Sequence, residues 1–79
     1  MIDMEEANNI VLDWADDYGL DLEELNYDYG AQEMEWYIAE GHPKVRGAKD
    51  LQNRLRDIDY DVNFNWPDMS MYVWNYHNR

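Results

Sequence analysis

From Met1 to Glu40 the chain carries thirteen Asp or Glu and no Lys or Arg. A stretch of charge −13 folds only if its carboxylates stay in water, so its apolar residues must recur at the period of a helix or a strand. The rest of the chain is different. Gly41 to Asp59 holds five basic and three acidic residues, a charge of +2, and Tyr60 to Arg79 carries −1, which returns the total of −12. No repeat, low-complexity tract or Pro/Gly/Ser linker divides these regions, so residues 1–79 are expected to form a single acidic domain with a polarised surface.

Acidity of this degree accompanies disorder only where aromatic residues are scarce. Here 46% of residues are hydrophobic, with four Trp and seven Tyr among 79. A domain of this size buries about 60–65% of its unfolded surface, so some aromatics are expected to face solvent or a partner.

Asp3-Met4-Glu5-Glu6 reads as a capping box. Ala7, Ile10, Val11, Trp14, Ala15 and Tyr18 then mark one buried stripe, which predicts a helix over roughly 4–18 closed by Gly19 in the left-handed region. Asp21 to Glu24 repeats the capping signature before Leu25 and predicts a short helix near 22–28. Met34, Trp36 and Ile38 alternate with Glu33, Glu35 and Tyr37, the pattern of a strand. A helix ending at Gly41 is the alternative, because Ala31, Met34 and Ile38 also fit a period near 3.6. Ala48, Leu51, Leu55 and Ile58 predict a second main helix at about 48–58. Val62, Phe64 and Trp66, a Pro67-Asp68 turn, then Met69, Met71 and Val73 read as a β-hairpin. The last strand is apolar on both faces through Tyr72, Trp74 and Tyr76, which places it between the other two. The expected fold is α+β: two main helices and a short one packed on a three-stranded, mostly antiparallel sheet.

The candidate site is acidic. Glu5, Glu6, Asp13, Asp16 and Asp17 lie on the solvent face of the first helix, followed by Asp21, Glu23 and Glu24. Neighbours on such a face are about 5–6 Å apart, against one charge per 3.4 Å of axis on a DNA strand. Asp13, Asp16 and Asp17 also sit towards the helix end where the macrodipole disfavours anions by about 0.3–1 kcal/mol each. They oppose stability there, which sets a binding role beside the alternative that they only solubilise the domain. Tyr27, Asp28 and Tyr29 form a second candidate contact, since Tyr offers large rigid area and acidic neighbours suit a basic partner. Their structural alternative is that both rings pack on a sheet edge while Asp28 makes a turn. Lys44, Arg46, Lys49, Arg54 and Arg56 are too few for a nucleic-acid patch and are expected to pair with acids of the first half.

Other chemistry finds little footing. Asp13, Asp17 and Glu24 fit three positions of a calcium-binding EF-hand loop, but Ala15 and Tyr18 occupy a ligand position and the obligatory glycine. Asp57, Asp59 and Asp61 fail likewise, with Val62 in place of the glycine. His42 and His77 have no ligand-spaced partners, so no metal or cofactor is expected. There is no Cys, the single Ser70 falls in a strand, and there is no glycine-rich phosphate loop, so no enzymatic activity is expected. A charge of −12 opposes direct binding to nucleic acid or to an anionic membrane. The N-terminus shows no signal-peptide pattern and no apolar run reaches about 20 residues; with no cysteine, a cytoplasmic setting is expected.

In size and composition the chain resembles the small acidic proteins with which phages block restriction, CRISPR or host transcription and replication. That likeness implies a DNA mimic, acting in the host cytoplasm on a basic nucleic-acid-binding protein. An immunity protein or antitoxin that neutralises a basic nuclease fits the same physics. A homodimer built on spare aromatics is a third reading, opposed by self-repulsion at −12.

Overall fold

A computed structural model describes residues 4–77. Helix α1 spans Met4–Asp17, followed by strands β1 (Asp21–Asp28) and β2 (Glu33–Glu40), helix α2 (Lys44–Arg56), strand β3 (Tyr60–Asn65), a 3-10 turn at Trp66–Asp68 and strand β4 (Ser70–Asn75). The order is α+β, as expected, but the sheet has four strands rather than three.

The first helix follows its apolar stripe. Met4, Ala7, Val11, Trp14 and Ala15 are buried and the acids between them are exposed. Its end is a Schellman motif: Gly19 stands at φ 64, its N–H donates to the Asp16 carbonyl, and the Leu20 N–H donates to the Ala15 carbonyl. The expected cap at Asp3 lies outside the described residues.

Residues 22–28 are strand, not helix. Leu22 pairs with Ile38 and Tyr27 with Met34, so both lie on the core side of the sheet. Between them the register shifts, leaving Leu25 as an extra, half-exposed residue. That bulge sets the two inward apolar residues five apart, an odd spacing that erases the two-residue alternation. Among the described residues the only short helix is the 3-10 turn, so the expected strand ends one residue early, at Asn65 rather than Trp66.

Strand β2 carries Met34, Trp36 and Ile38 inward, all buried, which settles residues 33–40 as strand. Helix α2 begins at Lys44, a turn before its apolar stripe, directly after Pro43. Its first turn is exposed apart from Gly47, so no periodicity marked it. All pairings are antiparallel, in the order β1-β2-β4-β3. The last strand lies between β2 and β3, as its two apolar faces predicted. Strands β2 and β3 consequently run parallel, joined by α2 as a split β-α-β unit.

Both helices cover the same side. Helix α1 packs against β1 and beside α2, and α2 packs against β3. The helix contact is close. Indole Nε1 of Trp14 donates to the Gly47 carbonyl over 2.9 Å, and a Cβ at Gly47 would lie 3.2 Å from the Tyr18 ring. Beside it, the Tyr18 hydroxyl donates to Asp50 over 2.7 Å, Arg54 makes two bonds to the same carboxylate, and Arg54 reaches Asp17 at 2.9 Å. No described helix is long and apolar enough to cross a membrane.

Candidate functional site: an acidic surface and an uncovered sheet face

The pleat of β1 and β2 divides the acids. Residues paired across a ladder share a face, so one side of the sheet carries three rows. Glu23, Tyr37, Ser70 and Asn65 form one, and Asn26, Glu35, Tyr72 and Asn63 the next. Asp28, Glu33, Trp74 and Asp61 form the third, with the Asp61 carboxylate held at the edge by Gln52 and Arg56 of α2. Among the described residues no helix packs on this side, and no Lys or Arg belongs to these rows. Tyr37 and Tyr72 are each 38% exposed, large for rings in the two central strands. Tyr72 and Trp74 are in ring contact at 5.6 Å. The face is thus an aromatic patch bordered by Glu23, Asp28, Glu33 and Glu35.

Two pairs of carboxylates oppose each other directly across the β1–β2 ladder: Asp28 with Glu33 and Asp21 with Glu40. Like charges in that relation destabilise a sheet. Neither pair has an ion-pair partner among the described residues. Asp28 is otherwise engaged, accepting from the Ala31 N–H over 3.1 Å to shape the turn.

The remaining expected site residues fall elsewhere. Glu5, Glu6, Asp13 and Asp16 are exposed on α1, in the helix layer behind the sheet, with Leu12 exposed among them at 45%. Glu24 pairs with Trp36 on the core side but at the exposed edge. Tyr27 is half-buried against the core, and its ring meets that of the exposed Tyr29 edge-on at 4.9 Å. Asp17 is bound by Arg54, which lies far away in sequence. The expectation that the basic segment pairs with first-half acids holds at that contact. Arg56 pairs instead with Asp61 and Arg54 also with Asp50.

The helix contact displaces the acidities of its own groups. The Tyr18 hydroxyl, and then the Arg54 guanidinium, bonded to Asp50 hold its carboxyl below the usual carboxylate range. The same hydrogen bond raises the Tyr18 phenol. This cluster ties α1 to α2. Among the described residues no group of three or more His, Asp or Glu is gathered to hold a metal ion.

Glu33, Glu35, Tyr37, Tyr72 and Trp74 were not singled out as site residues from sequence. Their signal was present as the opposite phase of Met34, Trp36, Ile38, Met71 and Val73. The comparisons add no constraint: no protein-family model, curated protein or solved structure matches this chain.

Proposed function

We propose that the protein is a small acidic inhibitor of the DNA-mimic kind, which occupies the cationic site of a basic nucleic-acid-binding protein or nuclease complex. The observation that carries this reading is the unrelieved repulsion in the β1–β2 hairpin. Asp28 faces Glu33 and Asp21 faces Glu40 with no cation beside either pair among the described residues. A stability-driven sequence would place Lys opposite one member of each pair, gaining roughly 0.2–1 kcal/mol. A cationic groove supplies that relief only on binding. Along β2, Glu33 and Glu35 recur about 6.6 Å apart, a carboxylate spacing of the same order as the charge spacing along a DNA strand. Tyr37, Tyr72 and Trp74 add flat, rigid area beside them, of the kind that anchors interfaces. Electrostatic steering would speed association and make it salt-sensitive.

The test is capture of host-cell proteins on the immobilised chain, followed by competition. A basic nucleic-acid-binding protein should be retained at low salt, released at about 0.5 M salt, and displaced by duplex DNA. Glu33→Lys with Glu35→Lys should weaken that complex at least about tenfold by replacing two attractive contacts with repulsive ones. Retention of nothing basic at low salt, or a captured protein that still binds DNA at full strength, would show the reading to be wrong.

A further inference from the structure

A four-stranded open sheet has two edges, and here they differ. The β1 edge carries Asp21, Glu23, Glu24 and Asp28 and a bulge at Leu25, devices that keep other strands away. The β3 edge is less guarded: over Tyr60–Asn65 it has no Lys, no Pro and no register shift, and its single acid, Asp61, is paired with Arg56. Its backbone pairs with β4 on one side only.

A groove of about 260 Å³ runs between this edge and α2. Its helical wall is the stripe of Val45, Ala48 and Lys49, and its strand wall includes Val62, Phe64 and Trp66. Val45 is 69% exposed, so its side chain is open to an occupant of the groove. The strand end of the groove is rigid. Phe64 stacks on Trp66 at 4.9 Å and 6°, and Trp66 stacks on His42 at 5.2 Å and 8°. His42 Nδ1 in turn accepts the Lys44 N–H, tying the column to the start of α2.

Asp61 shows what the edge can accept. Its Oδ1 takes the Val62 N–H over 2.8 Å, and Gln52 and Arg56 of α2 hold the carboxylate there. A side-chain oxygen therefore already does for Val62 what a neighbouring strand's carbonyl would do. By the two-residue period of a strand, the N–H of Phe64 points the same way, towards the groove. From Val62 to Asn65 the free edge runs about 13 Å.

We propose that the β3 edge and α2 form a docking groove for an extended peptide segment of a partner, which adds to the sheet as a fifth strand. The occupant is apolar at alternate residues, to fill the space between Val45 and Trp66, and carries a carboxylate opposite Lys49. Charge favours that choice locally. The titratable groups around the groove are Lys49, the Arg56–Asp61 ion pair, His42 and Lys44; Lys49 and Lys44 have no ion-pair partner among the described residues. Main-chain bonds to the edge supply affinity, and the pockets for alternate side chains supply selectivity. This groove lies on the basic side of the molecule and does not depend on the acidic surface.

The probes are acetyl-Thr-Val-Thr-Glu-Thr-Val-Thr-amide, in which Val, Glu and Val share the face towards α2, the same peptide with Lys for Glu, and the Glu peptide N-methylated at alternate residues. Amide NMR spectra of the full chain are titrated with each. The Glu peptide should shift amides of Val62–Asn65 and of the Val45–Gln52 stripe in a saturable way. The Lys peptide should bind about three- to fivefold more weakly, and Lys49→Glu should reverse that order. N-methylation should abolish binding, because it removes the donors a strand needs. Shifts that are absent, spread over Tyr37 and Tyr72, or the same for all three peptides would overturn the proposal. Concentration-dependent shifts of the same amides without peptide would also overturn it, since a second copy of the chain would then be the occupant.

Discussion

Asp16 is the sharpest place to ask whether the acidic surface is kept at the expense of stability. It stands in the last turn of α1, exposed, with no basic residue in that turn and no ion-pair partner among the described residues. Replacing it with Lys removes an unfavourable dipole interaction of about 0.3–1 kcal/mol and adds a favourable one of similar size. Lys at this position also follows Asp13 at i, i+3, worth roughly 0.2–0.5 kcal/mol. Together Asp16→Lys should stabilise the fold by about 1–2 kcal/mol at low ionic strength. For a domain of this size that raises Tm by roughly 4–16 °C. Asp17→Lys is the control. It gains the same dipole contribution but loses the 2.9 Å contact to Arg54 and sets two cations together beside Asp50. It should give no gain, or a loss. Thermal unfolding followed by circular dichroism at about 0.01 M and about 0.5 M salt measures both, and most of the Asp16 gain should vanish at the higher salt. Equal gains for the two variants, or none for Asp16→Lys, would refute the reasoning. If Asp16→Lys stabilises and also weakens the captured complex, this acid serves binding against stability; unchanged affinity removes α1 from the interface.

Two further outcomes test the packing and the helix contact. Trp14→Phe loses the indole bond to the Gly47 carbonyl and should cost about 2–3 kcal/mol, whereas Trp36→Phe removes a buried N–H with no acceptor among the described residues and should cost clearly less; urea unfolding of both compares them. Because Asp50 titrates below its ordinary range in the folded state, its contribution is full above the unfolded carboxyl pKa and is lost as pH falls through the folded one. Asp50→Asn should therefore be less stable than the parent near neutral pH, with the gap closing below about pH 4; a gap that stays constant with pH in urea titrations contradicts this.

What could be read from the sequence, and what could not, follows from the range of the interactions. The α1 stripe, its Gly19 ending and the alternation of Met34, Trp36 and Ile38 are local patterns with a strict period, and each appears in the fold. The central place of β4 was also legible, because a strand apolar on both faces needs neighbours on both sides. Strand β1 was not, for a physical reason. A bulge at Leu25 breaks its alternation, Glu24 holds an inward-phase position at an exposed edge, and Asp21-Leu22-Glu23-Glu24 copies a helix cap. Pairing with β2 overrides that local signal. The candidate site fared likewise. The acids were visible as residues, but the pleat decides that Glu23 and Asp28 join Glu33 and Glu35 on the open face, and only tertiary contact brings Arg54 to Asp17.

The topology turns a polarity along the chain into a polarity in space. In the order β1-β2-β4-β3 the N-terminal hairpin holds one side of the sheet with α1 beside it, while β3 and α2 hold the other. Had α2 and β3 lain next to β1, the five cations of Gly41–Asp59 could have paired with up to five of the thirteen acids of the N-terminal half. Instead one cross-contact, Arg54 with Asp17, joins the two halves among the described ion pairs. A charge distribution separated over a molecule 32 Å long acts as a dipole, so it orients the chain as it approaches a cationic surface. On the proposed function, the acidic hairpin and the aromatic face beside it would arrive first, leaving the β3 edge turned away from the cationic site. The two surfaces therefore do not compete, and one partner can be held through its basic groove and through an extended segment reaching round to the far edge.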